Sequence, residues 1–274
     1  MVGKGLEGCV DDRIGDAPFV LVKAQALVAA LPSASIIALA ALPPESDVPD
    51  TPAFARGVVV MRGRTLPLID LRRRLGMPSL ADEVETLAQL LDAREEDHRR
   101  WVAELEASVR ERRPFTLTTD PHKCAFGRWY DSLRTDHLVL ESQLKKIDGP
   151  HKALHAHGAE VVALMAKRDT DAAEALIATV HAGVFAEIRT LLADTRTMLR
   201  DSGREVALVV ETGRATVALA VDQVESVETL ERAESHRIDR VLPGMGDRLV
   251  TDVAMRRGDR QLVMVLDPGR LMAA

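Results

Sequence analysis

At about Glu83 the chain changes texture, and at about Asp201 it changes back. Before and after this stretch, short apolar runs alternate with tight-turn residues; within it, apolar residues recur at helical spacing. Two separate β domains of half size would each struggle to close a core. The order β, helical, β is therefore best explained by a helical domain inserted into one β domain. An up-and-down bundle permits this, because its last long helix returns antiparallel to its first and both ends emerge at one loop. The expected fold class is α+β. Its boundaries are an N-terminal tail at 1–16, a β-rich first part at 17–82, an inserted helical bundle at 83–201 and a β-rich second part at 202–274.

The elements follow from local pattern. Val58 to Met61, then Arg62-Gly63-Arg64, then Leu66, Leu68, Ile69 and Leu71 form a hairpin signature, with Pro67 predicting an edge or bulged second strand. "AQALVAALPSASIIALAAL" (24–42) is apolar enough to suggest a membrane span, but Pro32 and two serines interrupt it. Two buried strands around a Pro-Ser turn fit it better, with no direct membrane insertion. Leu87, Leu91, Arg94, His98, Trp101, Leu105 and Val109 predict one long amphipathic helix, and Leu176 to Met198 predict another, capped at Thr170 or Asp171. Shorter helices are expected over 124–133, 137–147 and 150–167, with Gly149-Pro150 separating the last two. Strand texture returns in two hairpins, around Thr212-Gly213-Arg214 and around Gly258-Asp259.

With 42 acidic and 36 basic side chains the net charge is −6, and no long basic run occurs, which argues against a nucleic-acid partner. The two cysteines, Cys9 and Cys124, lie far apart, so a structural disulfide does not fit and a reducing cytoplasmic location does. The arginines at 72, 73 and 74 read as a solvated helix face.

The chemistry gathers around "HKCAFGRWYDSL" (122–133), where Cys124 reads in turn as a nucleophile, a metal ligand or a buried thiol. His151 and His155 stand one helical turn apart on one face, the spacing that lets two imidazoles grip one ion, on a stripe continued by Gly158, Val162 and Met165. His98 occupies the apolar stripe of the first long helix, where an unpartnered imidazole is costly to bury. With Cys124 the set becomes three imidazoles and one thiolate, a complement suited to tetrahedral zinc. The plainer alternative is that each histidine is a separate, hydrogen-bonded core residue. His157 should face solvent, His122 is a neighbour rather than a needed fifth ligand, and His137, His181 and His236 have no spacing partner.

Two resemblances add to this reading. Cys124-Ala-Phe-Gly127-Arg-Trp129, with the His151/His155 pair and His98 upstream, resembles the chemoreceptor zinc-binding (CZB) domain. That likeness implies zinc (Zn2+) held by His98, Cys124, His151 and His155, with Gly127 and Trp129 as packing elements. "FARGVVVMRGRTLPLIDLRRRLGMP" (54–78), "LAVDQVESVETL" (219–230) and the closing "RGDRQLVMVLDPGRLM" resemble CheW-like adaptors. This second likeness implies a pair of small β-barrels, interrupted near their junction by the zinc-binding helical bundle. The implied partners are chemoreceptor cytoplasmic tips and a CheA-type histidine kinase. Arg62, beside Gly63 in the Met-Arg-Gly-Arg turn, matches the family's arginine at that contact region; the alternative is a solvated turn residue.

A catalytic role does not fit. Four protein ligands close the coordination shell that a catalytic zinc keeps open, no His-Glu-x-x-His pattern occurs, and Lys152 follows His151 where a base would be wanted. No catalytic residue is assigned. The expectation is a non-enzymatic chemotaxis adaptor whose inserted domain senses zinc or an oxidant; the alternative is a constitutive scaffold in which zinc is purely structural.

Overall fold

A computed structural model describes residues 14–135, 138–237 and 249–273. Cys9, His137 and most of the tail at 1–16 lie outside the described residues. The chain divides into two compact units, Met1–Leu80 with Arg204–Ala274, and Ala81–Gly203.

The first unit is built on two six-stranded sheets. Its N-terminal half supplies β1 (Pro18–Ala24), β2 (Leu27–Pro32), β3 (Ile36–Ala41), β4 (Glu45–Ser46), β5 (Ala55–Met61), β6 (Arg64–Asp70) and the single turn α1 (Leu71–Arg74). The C-terminal half supplies β7 (Val206–Glu211), β8 (Thr216–Val221), β9 (Gln223–Thr229), β10 (Glu231–Arg237), β11 (Val250–Met255) and β12 (Leu262–Leu266). The sheet orders are β10-β11-β12-β2-β1-β9 and β3-β7-β8-β6-β5-β4. In each sheet the halves interleave. β1 pairs with β9 and β2 with β12; β3 pairs with β7 and β6 with β8. Neither half could complete a sheet without the other.

Side-chain alternation explains why these strands are apolar on both faces. Val20 and Val22 of β1, Leu208 and Val210 of β7, and Val217 and Leu219 of β8 enter one shared core. Their neighbours Phe19 and Leu21 enter a second core, and Ala207, Val209, Ala218 and Ala220 a third. A strand whose two faces each meet a core reads as a continuous apolar run.

The expected small barrels are two sheets whose ladders do not close all round. Among the described residues no hydrogen-bonded pairing joins β9 to β10 or β3 to β4. The chain itself does the joining: only the fully buried Leu230 separates β9 from β10, and residues 42–44 link β3 to β4.

Three other expectations change. β6 is an interior strand; Pro67 is tolerated because it pairs only with Val58 of β5, the β8 ladder beginning at Leu68. β2 is buried as expected, but β3 is an edge strand whose alternate side chains Ile37 and Leu39 face outward. Of the basic run only Arg73 is exposed. Arg72 is buried in a two-toothed pair with Asp222, both contacts at 2.7 Å, and Arg74 donates to the carbonyls of Arg270, Leu271 and Ala273. A guanidinium placed against carboxylate and carbonyl oxygens ties α1 to the C-terminal half.

The second unit is helical: α2 (Leu80–Arg110), α3 (Ala125–Ser132), α4 (Leu138–Ala166), α5 (Thr170–Val180) and α6 (Ala186–Ser202), the last two joined through a π-helical turn at His181–Phe185. The cap of α5 is Asp169, whose carboxylate accepts the Ala172 N–H, rather than Thr170 or Asp171. α4 is one continuous helix where two were expected, with Pro150 inside it. An interior proline costs roughly 3 kcal/mol. Here Leu140, Leu144 and Ile147 before it, and Leu154 and Val161 after it, are all buried, and that burial holds both halves in line. The buried stripe beyond His155 runs through Gly158 and Val161, whereas Val162 faces out. Arg196 bonds Asp92 and Glu95, and Arg200 meets Glu85, so α2 and α6 are antiparallel neighbours.

Residues 170–202 form the one described helix long and apolar enough to cross a membrane by length and composition. Ala173, Ile177, Val180, Ile188, Leu192 and Leu199 along it are nevertheless buried within the protein.

Candidate metal centre

Three elements of the helical unit bring the histidines and the cysteine together. His98 comes from the middle of α2, Cys124 from the N-cap of α3, and His151 and His155 from successive turns of α4. One ligating atom from each lies within 4.8 Å of the others. The Cys124 Sγ to His151 Nε2 distance is 3.1 Å. Zinc bonds of the usual length would set such atoms roughly 3.3–3.6 Å apart in a tetrahedron, so the ion would spread the Cys124–His151 pair slightly and draw the wider pairs together.

Burial makes the case stronger than proximity does. His98 and His151 are 3% exposed and His155 is fully buried. His98 Nδ1 lies 2.7 Å from the Arg94 carbonyl, which can only accept, so Nδ1 carries the proton and Nε2 keeps its lone pair. That Nε2 has no hydrogen-bond partner, and neither nitrogen of His155 has one. The Thr118 carbonyl lies near enough to His155 to favour a proton on its ring, but makes no hydrogen bond of acceptable geometry with it and instead accepts Trp101 Nε1–H at 2.8 Å. An unpaired buried polar group costs about 1–3 kcal/mol. An unpaired, buried ring nitrogen from each of His98 and His155, meeting one ligand atom each of Cys124 and His151 within 4.8 Å, is the signature of a site built for a cation.

The electrostatics suit neutral imidazoles. Burial lowers His98, takes His151 down to about 3 with repulsion from the neighbouring histidines adding to it, and takes His155 down to about 4. All three are neutral at physiological pH and can donate lone pairs. Burial pushes the Cys124 thiol up, against the Gly127 and Phe126 N–H groups that favour the thiolate. The Gly127 N–H points at Sγ from 3.1 Å. Metal binding would therefore release the thiol proton.

Gly127 is indispensable to this geometry. A Cβ there would sit 1.8 Å from the Pro121 carbonyl oxygen, so only glycine lets the 121–122 backbone lie against α3. Trp129 is half-buried and one ring removed from the centre: it packs edge-on against Phe126 at 5.7 Å, and Phe126 in turn meets His151 at 4.7 Å. The rings in direct contact with the histidines are Phe126 and Trp101, the latter 4.9 Å from His155. Sequence reasoning did not single them out as site residues, although Phe126 is two residues from Cys124 and Trp101 one turn from His98. Gly158 gives Trp101 its room, since a Cβ there would lie 2.2 Å from the indole.

The remaining histidines do not join the donor set. His157 is part-exposed, and His181 is exposed near Glu106. His122 is exposed and pairs with Asp131; the side chain of His236 lies outside the described residues. In the first unit, Arg62 and Gly63 occupy the β5–β6 turn with φ of +50° and +75°, the left-handed pair of a two-residue hairpin turn.

A sheet domain interleaved from two chain segments, together with a helical unit carrying a three-histidine, one-cysteine centre, defines a two-module protein with a metal-binding helical module. Comparison with protein families identifies both modules. The chemoreceptor zinc-binding domain matches residues 98–162, beginning at His98 itself, and the CheW-like domain matches residues 18–103. The chain thus carries a CheW-like domain, of a non-enzymatic scaffold family, and a zinc-binding CZB domain. No curated protein matches it. Among solved structures, the scaffolding protein TtCheW from Thermoanaerobacter tengcongensis is similar at 11% identity, over 94% of this chain and 93% of that one, with a TM-score of 0.40; a likeness that slight carries no argument.

Proposed function

We propose that the protein is a cytoplasmic chemotaxis adaptor that couples chemoreceptor cytoplasmic tips to a CheA-type histidine kinase, and that its inserted domain holds zinc and modulates the adaptor. In this reading the CheW-like domain comprises 17–82 and 202–274, and the inserted CZB domain 83–201. His98, Cys124, His151 and His155 are the ligands. The observation that carries the reading is the convergence of buried, hydrogen-bond-starved imidazoles of His98 and His155, one ligand atom from each, with those of Cys124 and His151. When bound, zinc would supply a closed, non-catalytic crosslink between three helical elements.

The chain's own residues supply the rest. Cys124 gives up its thiol proton, and His98 is held in the ligating tautomer by the Arg94 carbonyl. α2, which carries His98, begins at Leu80 and is joined to β6 through α1 and residues 75–79, and α6 ends at Ser202, joined to β7 through residues 203–205, so both ends of the helical unit are tied covalently to the sheet domain. A change in the packing of α2 against α3 and α4 thus has two covalent routes outward. Coupling requires only that the metal-free and metal-loaded states differ in free energy toward a partner. Structural zinc sites contribute about 10–16 kcal/mol in small peptides, and a small part of that would bias a signalling equilibrium.

For the partner surface, Arg62 lines a groove of about 270 Å³ with Ile37, Leu39, Val60, Leu66 and Val209. Ile37, Leu39 and Val60 are each more than half exposed there. Exposed apolar side chains beside an arginine are the composition of a protein-docking site, which supports the assignment of Arg62 and Gly63 to partner binding. The second reading, a constitutive scaffold with zinc purely structural, draws on the completeness of the shell. Reconstituted kinase activity, measured with the zinc-loaded and the zinc-stripped full chain, separates the two: a change in kinase activity supports sensing, and an unchanged one with zinc still bound by the wild type supports the scaffold.

A further inference from the structure

The donor set is buried on the histidine side and open on the cysteine side. His98, His151 and His155 are at most 3% exposed, whereas Cys124 is half-buried. A cation arriving from water meets Cys124 first. Two residues before it, His122 has its side chain 58% exposed, and its Nδ1 lies 2.9 Å from Asp131 Oδ2. This pair is built into the fold. The missing Cβ of Gly127 lets the Pro121–His122 backbone press against α3, and Asp131 stands one turn beyond Gly127 on the same helix. The His122 N–H is also fixed, 3.0 Å from Asp120 Oδ1.

A carboxylate on Nδ1 is the arrangement that orients a ligating imidazole, because it keeps the proton on Nδ1 and the lone pair on Nε2. An oriented, solvent-facing imidazole thus flanks the accessible edge of a buried donor set that has no use for a fifth ligand.

We propose that His122, oriented by Asp131, is a hand-off ligand through which a divalent cation passes between water and Cys124. His122 Nε2 replaces a water on the arriving cation. Cys124 then displaces His122, its thiol proton leaving to solvent, and no electron is transferred. Release follows the same steps in reverse. The proposal rests on the reading of His98, Cys124, His151 and His155 as the zinc ligands.

A hand-off ligand lowers the barrier in both directions and leaves the equilibrium alone. The test is stopped-flow uptake of zinc ion, and its release to excess chelator, using the full chain as wild type, His122→Ala and Asp131→Asn, with circular dichroism to verify the fold. In His122→Ala both rates fall by about tenfold, a barrier raised by about 1.4 kcal/mol, while the Kd stays within about twofold of wild type, because neither end state holds a His122–metal bond. Asp131→Asn slows both rates by less, and decides the matter should His122→Ala fail to fold. Unchanged rates overturn the proposal. So does faster release, which would make the pair a clamp on the loop, and so does a weakened Kd with uptake unaltered, which would make His122 a resident ligand. A wild type that takes up no zinc removes the ligand reading as well, whereas zinc-binding wild type with unaffected variants removes the hand-off alone.

Discussion

Replacing Gly127 by alanine should cost the protein its metal centre while leaving the helical unit largely folded. The Cβ of alanine would fall 1.8 Å from the Pro121 carbonyl oxygen, 2.9 Å from its carbon and 3.0 Å from the His122 Cα, against an ordinary contact of at least 3.4 Å. Either α3 or the 121–122 backbone must therefore move by about 1.5 Å, and both are backbone, with no flexible side chain to give way. Cys124 lies between them. Its Sγ touches the Pro121 carbonyl at 3.3 Å and the Gly127 N–H at 3.1 Å, so the sulfur moves with the clash. Metal ligands tolerate displacements of about 0.2 Å, far less than that shift.

Alanine gains about 1 kcal/mol of helix propensity over glycine, and overpacking costs about 1–3 kcal/mol, so net stability should fall by at most about 2 kcal/mol. Zinc affinity should fall by at least about 100-fold, the upper range for disturbing residues around a metal. Chelator competition measures the affinity, and urea unfolding the stability. Gly149→Ala is the control: it lies in the same helix as His151, its Cβ would meet nothing within 4 Å, and it should leave zinc affinity unchanged. Wild-type zinc affinity in Gly127→Ala would refute the argument that this close approach fixes Cys124.

Other consequences are open to measurement. Gly158→Ala would place a Cβ 2.2 Å from the Trp101 ring, which is buried and anchored to the Thr118 carbonyl; a loss of about 1–3 kcal/mol and a shifted tryptophan emission are expected. The metal-free protein should weaken in acid. His151 and His155 titrate at about 3 and about 4 in the folded chain but near 6.5 when unfolded. Below 6.5 the unfolded state therefore binds protons that the folded state does not, and stability falls by about 2.7 kcal/mol per pH unit for the two together, being fully present above 6.5. Urea midpoints at pH 7.5 and 5.5, with chelator present, check this; a flat profile would contradict it. Arg72→Ala leaves Asp222 with the Gln25 N–H but without its guanidinium partner, and should destabilise the sheet unit by about 1–3 kcal/mol, read by thermal unfolding.

Legibility in the sequence followed the range of the interactions. Short-range patterns read well: the hairpin turn at Arg62-Gly63, the long helix through His98 and Trp101, and the one-turn spacing of His151 and His155 all express local periodicity. The same spacings, with Cys124, marked the donors that the fold brings within 4.8 Å. What depends on distant partners did not read. Gly149-Pro150 has the local signature of a break, and burial on both sides overrides it. Pro67 suggested an edge because the sequence cannot reveal that β8, some 150 residues later, pairs with only part of β6. Arg72 looked solvated because Asp222, its partner, comes from the far half of the chain. Ile37 and Leu39 looked buried because an apolar edge strand and an apolar core strand share one composition. Trp101 read only as part of its helix's apolar stripe and Phe126 only as a spacer beside Cys124, their contacts with the histidines being tertiary.

The most direct test of the central claim is the zinc content of the purified full chain, measured by elemental analysis beside Cys124→Ala and His151→Ala. The account predicts stoichiometric zinc in the wild type and loss of zinc in both variants. A wild type that is fully folded and free of zinc after purification in its presence would contradict it.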